Sequence, residues 1–146
     1  MKKLLEIIAL SILFTNISFA GQEGYGPIKL SPPVVKYFNV YLGNESHGSK
    51  GALKHGRGDY FFVSESGEGF GYSYCPQTYG GNCVTETILA KKACRKDVKK
   101  YVKRKEKCKL FAKGRTIVWN GDKYKIPNKA SISEVNQILK DEGYVN

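Results

Sequence analysis

Apolar residues recur at helical spacing in three stretches of this chain, with strand-like runs between them. Val34, Val35, Phe38, Tyr41 and Leu42 return at helical spacing, behind a Ser31-Pro32 start and ahead of Gly43. This predicts a helix that follows a loose lead from Gly21 to Leu30. Gly43 to Gly58 carries five glycines and little to bury, and reads as a loop. Tyr60 to Ser66 is dense in aromatics and predicts a strand, which Gly67-Glu68-Gly69 turns into a second strand from Phe70 to Cys75. Pro76 to Asn82 is a short connection. Thr85 then caps an expected helix that runs to about Val102. In it Ala90, Cys94, Val98 and Val102 fall every fourth residue, with Ala93 and Tyr101 beside them.

The last third predicts three short strands and a helix. Lys107 to Lys113 and Thr116 to Asn120 are joined by Gly114-Arg115, and Asn120-Gly121 is the strongest hairpin signal in the chain, leading to Tyr124–Ile126. Ser131-Ile132-Ser133-Glu134 is a capping box in register with Ile132, Val135, Ile138 and Leu139, and Gly143 closes that helix. The order α-β-β-α-β-β-β-α predicts an α+β fold. The expected architecture is an antiparallel β-sheet with a disulfide-linked central helix on one face and additional N- and C-terminal helices.

Cysteines and the N-terminus bear on compartment. Lys2 and Lys3 precede an apolar run from Leu4 to Phe14, broken by Glu6, and Ser18-Phe19-Ala20 offers small residues for cleavage. Residues 1–20 therefore read as a signal peptide, and 21–146 as one disulfide-stapled domain in the periplasm or secreted medium. Gly21, not a cysteine, stands directly after Ala20, so no lipid anchor is expected. Cys75, Cys83, Cys94 and Cys108 form an even set, for which two disulfides are the default in an exported chain. Three connectivities are possible, and short loops favour Cys75–Cys83 with Cys94–Cys108. Zinc is the competing reading. It lacks any Cys-x-x-Cys pair and any histidine near the cysteines.

Charge is the strongest pointer to function. Lys91 to Arg115 holds 13 of the 24 Lys and Arg against Asp97 and Glu106, so the whole formal charge of +11 resides there. The pairs Lys91-Lys92, Arg95-Lys96, Lys99-Lys100 and Lys103-Arg104 repeat every four residues. At 100° per residue each pair drifts about 40° from the last. The expected product is a basic stripe wrapping gently round the helix beside its apolar seam. Such a stripe suits lipid head groups, cell-wall polyanions or nucleic acid, and its lysine-rich makeup favours diffuse attraction over bidentate recognition. The bland alternative is a solvated face.

The runs Phe61-Phe62-Val63-Ser64, Gly67 and Gly71-Tyr72-Ser73-Tyr74-Cys75, with Ala93-Cys94, Cys108-Lys109-Leu110-Phe111-Ala112 and Ile117-Val118-Trp119, form a pattern. It resembles small exported proteobacterial proteins of uncharacterised domain families. The resemblance covers about residues 60–119 and implies export, disulfides and an α+β fold. It implies no activity and no catalytic residue. The long lysine-rich helix and the C-terminal hairpin and helix depart from that pattern.

Other constellations compete with the stripe. Phe70, Tyr72 and Tyr74 share one strand face, and Lys109, Phe111 and Lys113 another. An open sheet face of this kind could stack nucleic-acid bases, whereas the terminal helices would otherwise cover it as core. His47 and His55, near Lys50, Lys54 and Arg57, could run acid–base cleavage of RNA if the rings converged. Asp59, Glu65 and Glu68 sit at strand ends and turns, where solvated carboxylates are ordinary. No Gly-rich phosphate loop, nucleophile elbow or metal-binding His motif is present. The sequence thus points to an exported, non-enzymatic binding module that uses its basic helix. No catalytic residue, metal or cofactor is assigned. A secreted hydrolase and an envelope protein with an unreadable protein partner stand as alternatives.

Overall fold

The computed structural model describes residues 22–44, 58–74 and 84–146. Helix α1 spans Pro32–Tyr41, strand β1 Gly58–Ser64 and β2 Phe70–Tyr74. Helix α2 spans Val84–Asp97 and continues as a π-helical turn over Val98–Val102. Strands β3 (Cys108–Lys113), β4 (Thr116–Ile117) and β5 (Tyr124–Lys125) follow, and α3 (Ile132–Asp141) ends the chain's regular structure. The five strands form one antiparallel sheet in the order β2-β1-β3-β4-β5. The fold is α+β, as the element order predicts.

Period-two alternation in β1 sends side chains to both faces, and each face is covered. Tyr60 and Phe62 point to α2, where they bury with Ala90, Cys94, Val98, Cys108 and Leu110. Phe61 and Val63 point the other way, to a larger core with Val34, Phe38 and Tyr41 of α1 and Val135 and Leu139 of α3. That second face is where an open aromatic surface was conceivable. It is covered instead, with Phe111 in the core and Phe70 and Tyr72 half-buried against it: Tyr37 stacks on Phe70 at 4.6 Å, Tyr41 meets Tyr72 at 6.1 Å, and Phe111 lies between Phe38 and Tyr144 at 5.3 and 5.1 Å. The amphipathic terminal helices need an apolar platform, and these rings supply it.

Three local expectations change in the fold. The lead is not loose: Ile28 and Leu30 are buried, Leu110 N–H donates to the Gln22 carbonyl at 2.7 Å, and Leu30 N–H to Tyr144 at 2.8 Å. Apolar Ile28 and Leu30 and a free stretch of β3 edge hold it down. A bulge between Phe61 and Phe62 leaves Phe111 without a register partner, so alternation slips by one. Lys113 consequently leaves the Phe111 face and lies over the Tyr60 ring, 5.8 Å from its centroid. Strand β4 is only two residues long because Trp119 turns inward, buries, and donates its Nε1–H to the Gly26 carbonyl at 2.8 Å.

Asn120-Gly121 does make its turn, inside the six-residue connection from Ile117 to Tyr124. Asn120 (φ 62°) and Gly121 (φ 76°) are both left-handed, and Asp122 N–H closes on the Trp119 carbonyl at 3.3 Å. Gly121→Val is therefore expected to cost about 1–2 kcal/mol through backbone strain, read as a shift in the urea midpoint. An unchanged midpoint would mean that this turn carries no strain penalty.

In α3 the capping box forms in both directions. Ser131 N–H donates to Glu134 Oε2 at 2.6 Å and Glu134 N–H to Ser131 Oγ at 3.3 Å. Ser131 thereby holds the Glu134 carboxyl below its ordinary range.

Candidate functional site

The seat of α2 explains where its charges point. Its seam of Ala90, Cys94 and Val98 is buried against β1, β2 and β3. A seam at every fourth residue of an α-helix rotates by about 40° per step, so Val102 would swing off the sheet. The π-helical turn from Val98 to Val102 widens the last turn and takes back part of that rotation. Val102 stays packed on the same cluster. The widened turn closes with Lys103 N–H donating to the Val98 carbonyl at 3.1 Å, which puts Lys103 in the left-handed region at φ 58°. Helix α2 begins at Val84, so Thr85 lies inside it rather than capping it. Tyr101, expected beside the seam, is 64% exposed and carries Lys100 Nζ 4.6 Å from its ring centroid. Tyr101 also holds the Lys100 ammonium above its ordinary range.

Two covalent and polar anchors fix the helix end. Cys94 on α2 is bonded to Cys108 at the start of β3, with Cα atoms 6.2 Å apart and both residues buried. Beyond the disulfide, the β1–β2 turn clamps the connection to β3. Glu106 accepts from Ser66 N–H at 3.1 Å and Ser66 Oγ at 2.6 Å, and Glu65 Oε2 accepts from Lys107 N–H at 3.3 Å. Arg104 completes it, pairing with Glu68 and Glu106 at 3.1 Å each. Partial burial pushes the Glu106 carboxyl up, but the Ser66 hydroxyl and backbone N–H, the Ser64 hydroxyl and Arg104 outweigh it, leaving it below its ordinary range.

A carboxyl depressed in the folded state stabilises fully above its unfolded pKa of about 4.3 and loses that contribution as pH falls through the folded value. Glu106→Gln should cost about 1–2 kcal/mol at neutral pH, and this difference should shrink below about pH 4. Urea denaturation from pH 7 to 3 measures both. Parallel curves for the two proteins at all pH values would count against the clamp.

The eight basic residues of the expected stripe divide into three groups. Lys92, Arg95, Lys96, Lys99, Lys100 and Lys103 are exposed, and among the described residues none of the six forms an ion pair. Lys91 is half-sunk, its ammonium pushed down by burial and by Arg95 and Lys109. Arg104 is exposed but spent on the clamp. Arg115, at the end of the basic stretch, is structural: its guanidinium donates to the Leu42 and Pro127 carbonyls at 2.8 Å each.

Two shallow concavities flank the helix. One, of about 420 Å³, is ringed by Arg95, Lys99, Lys103 and Lys105 at the helix end. The other, of about 380 Å³, runs between α2 and the edge strand β2, with Lys96, Lys100 and Tyr101 on its helix side. Asp97 sits there too. Its carboxylate accepts from Phe70 N–H at 3.2 Å, and burial raises its pKa against the pull of that bond and of Lys100.

Sequence reasoning missed Ile88 and Leu89. They are 67% and 54% exposed on the outward side of α2, off the buried seam. The signal was their position: neither falls in the four-residue series of Ala90, Cys94, Val98 and Val102.

The rival constellations fare unevenly. Glu65 and Glu68 are occupied by the clamp, and the Asp59 carboxylate lies near the buried Tyr41 hydroxyl, whose pKa burial chiefly raises. Among the described residues no three His, Cys, Asp or Glu side chains gather to hold a metal, and no helix is long and apolar enough to cross a membrane. His47 and His55, the expected signal peptide over 1–20, and Cys75 with Cys83 lie outside the described residues. Comparison with protein-family models, with curated proteins and with solved structures finds no match for this chain.

Proposed function

We propose that this protein is an exported, non-enzymatic binding module that engages anionic surfaces through the outward face of α2. The observation that carries the reading is the row of six exposed Lys and Arg side chains on one helix, free of ion pairs among the described residues. Proteins place that much like charge together at a cost in self-repulsion, which an anionic partner relieves. The rigid seat of α2, held by a disulfide and the Glu106 clamp, presents the row as a fixed surface. Export, with cleavage after Ala20, belongs to the same proposal. It accords with the Cys94–Cys108 disulfide, a bond that persists in oxidising compartments.

Reversing Lys92, Lys96 and Lys99 to Glu tests the reading. All three are exposed, so folding should survive, each change shifting stability by tenths of a kcal/mol. Retention on heparin and anionic vesicles should fall by about a hundredfold or more, and the parent's log affinity should decline linearly with log salt. Replacing His47 and His55 with Ala should leave binding unchanged. The reading is overturned if the charge-reversed variant binds like the parent while the histidine variant loses a ribonuclease activity.

A further inference from the structure

We infer that the anionic surface this helix meets is a phospholipid bilayer, with Ile88 and Leu89 entering the boundary between head groups and acyl chains while the lysines hold the phosphates. This rests on the polyanion reading above and sharpens it to one partner.

Exposed apolar surface concentrates on the same helix as the charge. Three of the four large hydrophobic side chains more than half exposed among the described residues lie on the α2 segment: Ile88, Leu89 and Tyr101. A soluble helix that docks by its seam ordinarily shows polar residues on its outer side. Here Leu89, Lys92, Lys96 and Lys99 follow one another at three- and four-residue steps, so they share the outward side. From Leu89 to Lys99 this line is about 15 Å long. It begins on an aliphatic side chain and continues cationic, and Tyr101 lies beyond its end, at the concavity beside β2.

A nucleic acid or cell-wall polyanion would satisfy the lysines and leave Ile88 and Leu89 in water. A bilayer satisfies both. Its head groups meet the ammonium groups, whose long stems lie along apolar surface, and its acyl boundary takes the two aliphatic side chains. The disulfide and the sheet hold α2 side-on, so the helix lies along the membrane plane instead of inserting end-first.

The folded, oxidised protein is tested against phosphatidylcholine vesicles with and without phosphatidylglycerol, and against heparin and single-stranded RNA of matched charge. The double variant Ile88→Ser/Leu89→Ser should weaken binding to the anionic vesicles by about tenfold or more and leave heparin retention unchanged. Ile132→Ser, on α3 across the sheet, should alter neither. In salt titrations, residual vesicle binding should persist where heparin binding is gone, because the apolar part is not screened. Leu89→Trp adds a direct readout, since the native Trp119 is buried. Its emission should shift to the blue on anionic vesicles and stay fixed with heparin or RNA. If the serine variant binds vesicles like the parent, or the tryptophan emission is unchanged on vesicles that demonstrably bind, the bilayer inference falls while the polyanion reading stands. Tighter binding to RNA than to vesicles also overturns it. Failure of the parent to bind any of the four probes overturns the polyanion reading itself.

Discussion

Replacing Gly71 with alanine is expected to destabilise the protein by about 3 kcal/mol or more. Gly71 lies on β2 directly under α2, where the helix backbone comes close to the strand. A Cβ placed there would meet the Cys94 backbone nitrogen at 2.1 Å and the Ala90 carbonyl oxygen at 2.5 Å. Both are main-chain atoms of the helix, so no rotamer change relieves the overlap. The helix must lift, and lifting it strains the disulfide and opens the contact of Ala90, Cys94 and Val98 with Tyr60, Phe62 and Leu110. Gly69→Ala provides the comparison. Its Cβ would meet the Val98 methyl Cγ2 at 2.6 Å, a side chain that can shift, so its cost should be clearly smaller. Urea midpoints rank the two. Equal costs would show that α2 yields as a body as readily as one valine does.

Removing the Cys94–Cys108 bridge, as Cys94→Ala/Cys108→Ala, is expected to cost about 3 kcal/mol. The bond closes a separation of 14 residues and restricts the unfolded chain accordingly. The position adds to this: it ties the helix to the sheet in the middle of the smaller core. Both cysteines are buried, so reductant should reach the bond slowly until α2 moves. The consequence should be local as well as global. Amide exchange in α2 should quicken more than exchange in β1, because α1 and α3 still cover the other face of the sheet. Uniform loss of protection throughout the protein would instead show that the two cores melt as one unit. Binding to anionic vesicles should weaken with the loss of a fixed α2, though the charges themselves are untouched.

The helices and the sheet were legible in the sequence wherever a local period was strong. Val34, Phe38 and Tyr41 repeat at helical spacing, the Ser131–Glu134 capping box is a short-range hydrogen-bond pair, and Asn120-Gly121 fixes its own left-handed turn. The Cys94–Cys108 pairing was legible for the same reason, since a short loop between neighbouring elements limits the geometry. Most of the failures involve contacts between residues distant in sequence. Nothing near Gln22 or Gly24 announces that the lead will lie beside Leu110. The bulge that moves Lys113 to the helix face arises only when β1 and β3 pair. Tyr101 reads as seam-adjacent until the π-helical turn rotates the end of the helix.

For the candidate site, the local order of residues already assigned the positive charge to one helix, because consecutive basic pairs at a four-residue repeat share a helix whatever it packs against. It also determined the side that would be buried, since Ala90, Cys94 and Val98 are the only apolar series the helix offers a sheet. The tertiary structure decided which charges remain available. Arg104 is drawn to Glu68, 36 residues away on the β1–β2 turn, and to the neighbouring Glu106 that the same turn holds, Arg115 to the ends of two other elements, and Lys91 into partial burial. It decided equally that the aromatic strand face is covered and that Ile88 and Leu89 are left outside. Charge and period are properties of neighbours along the chain; exposure and pairing belong to whatever the fold brings alongside.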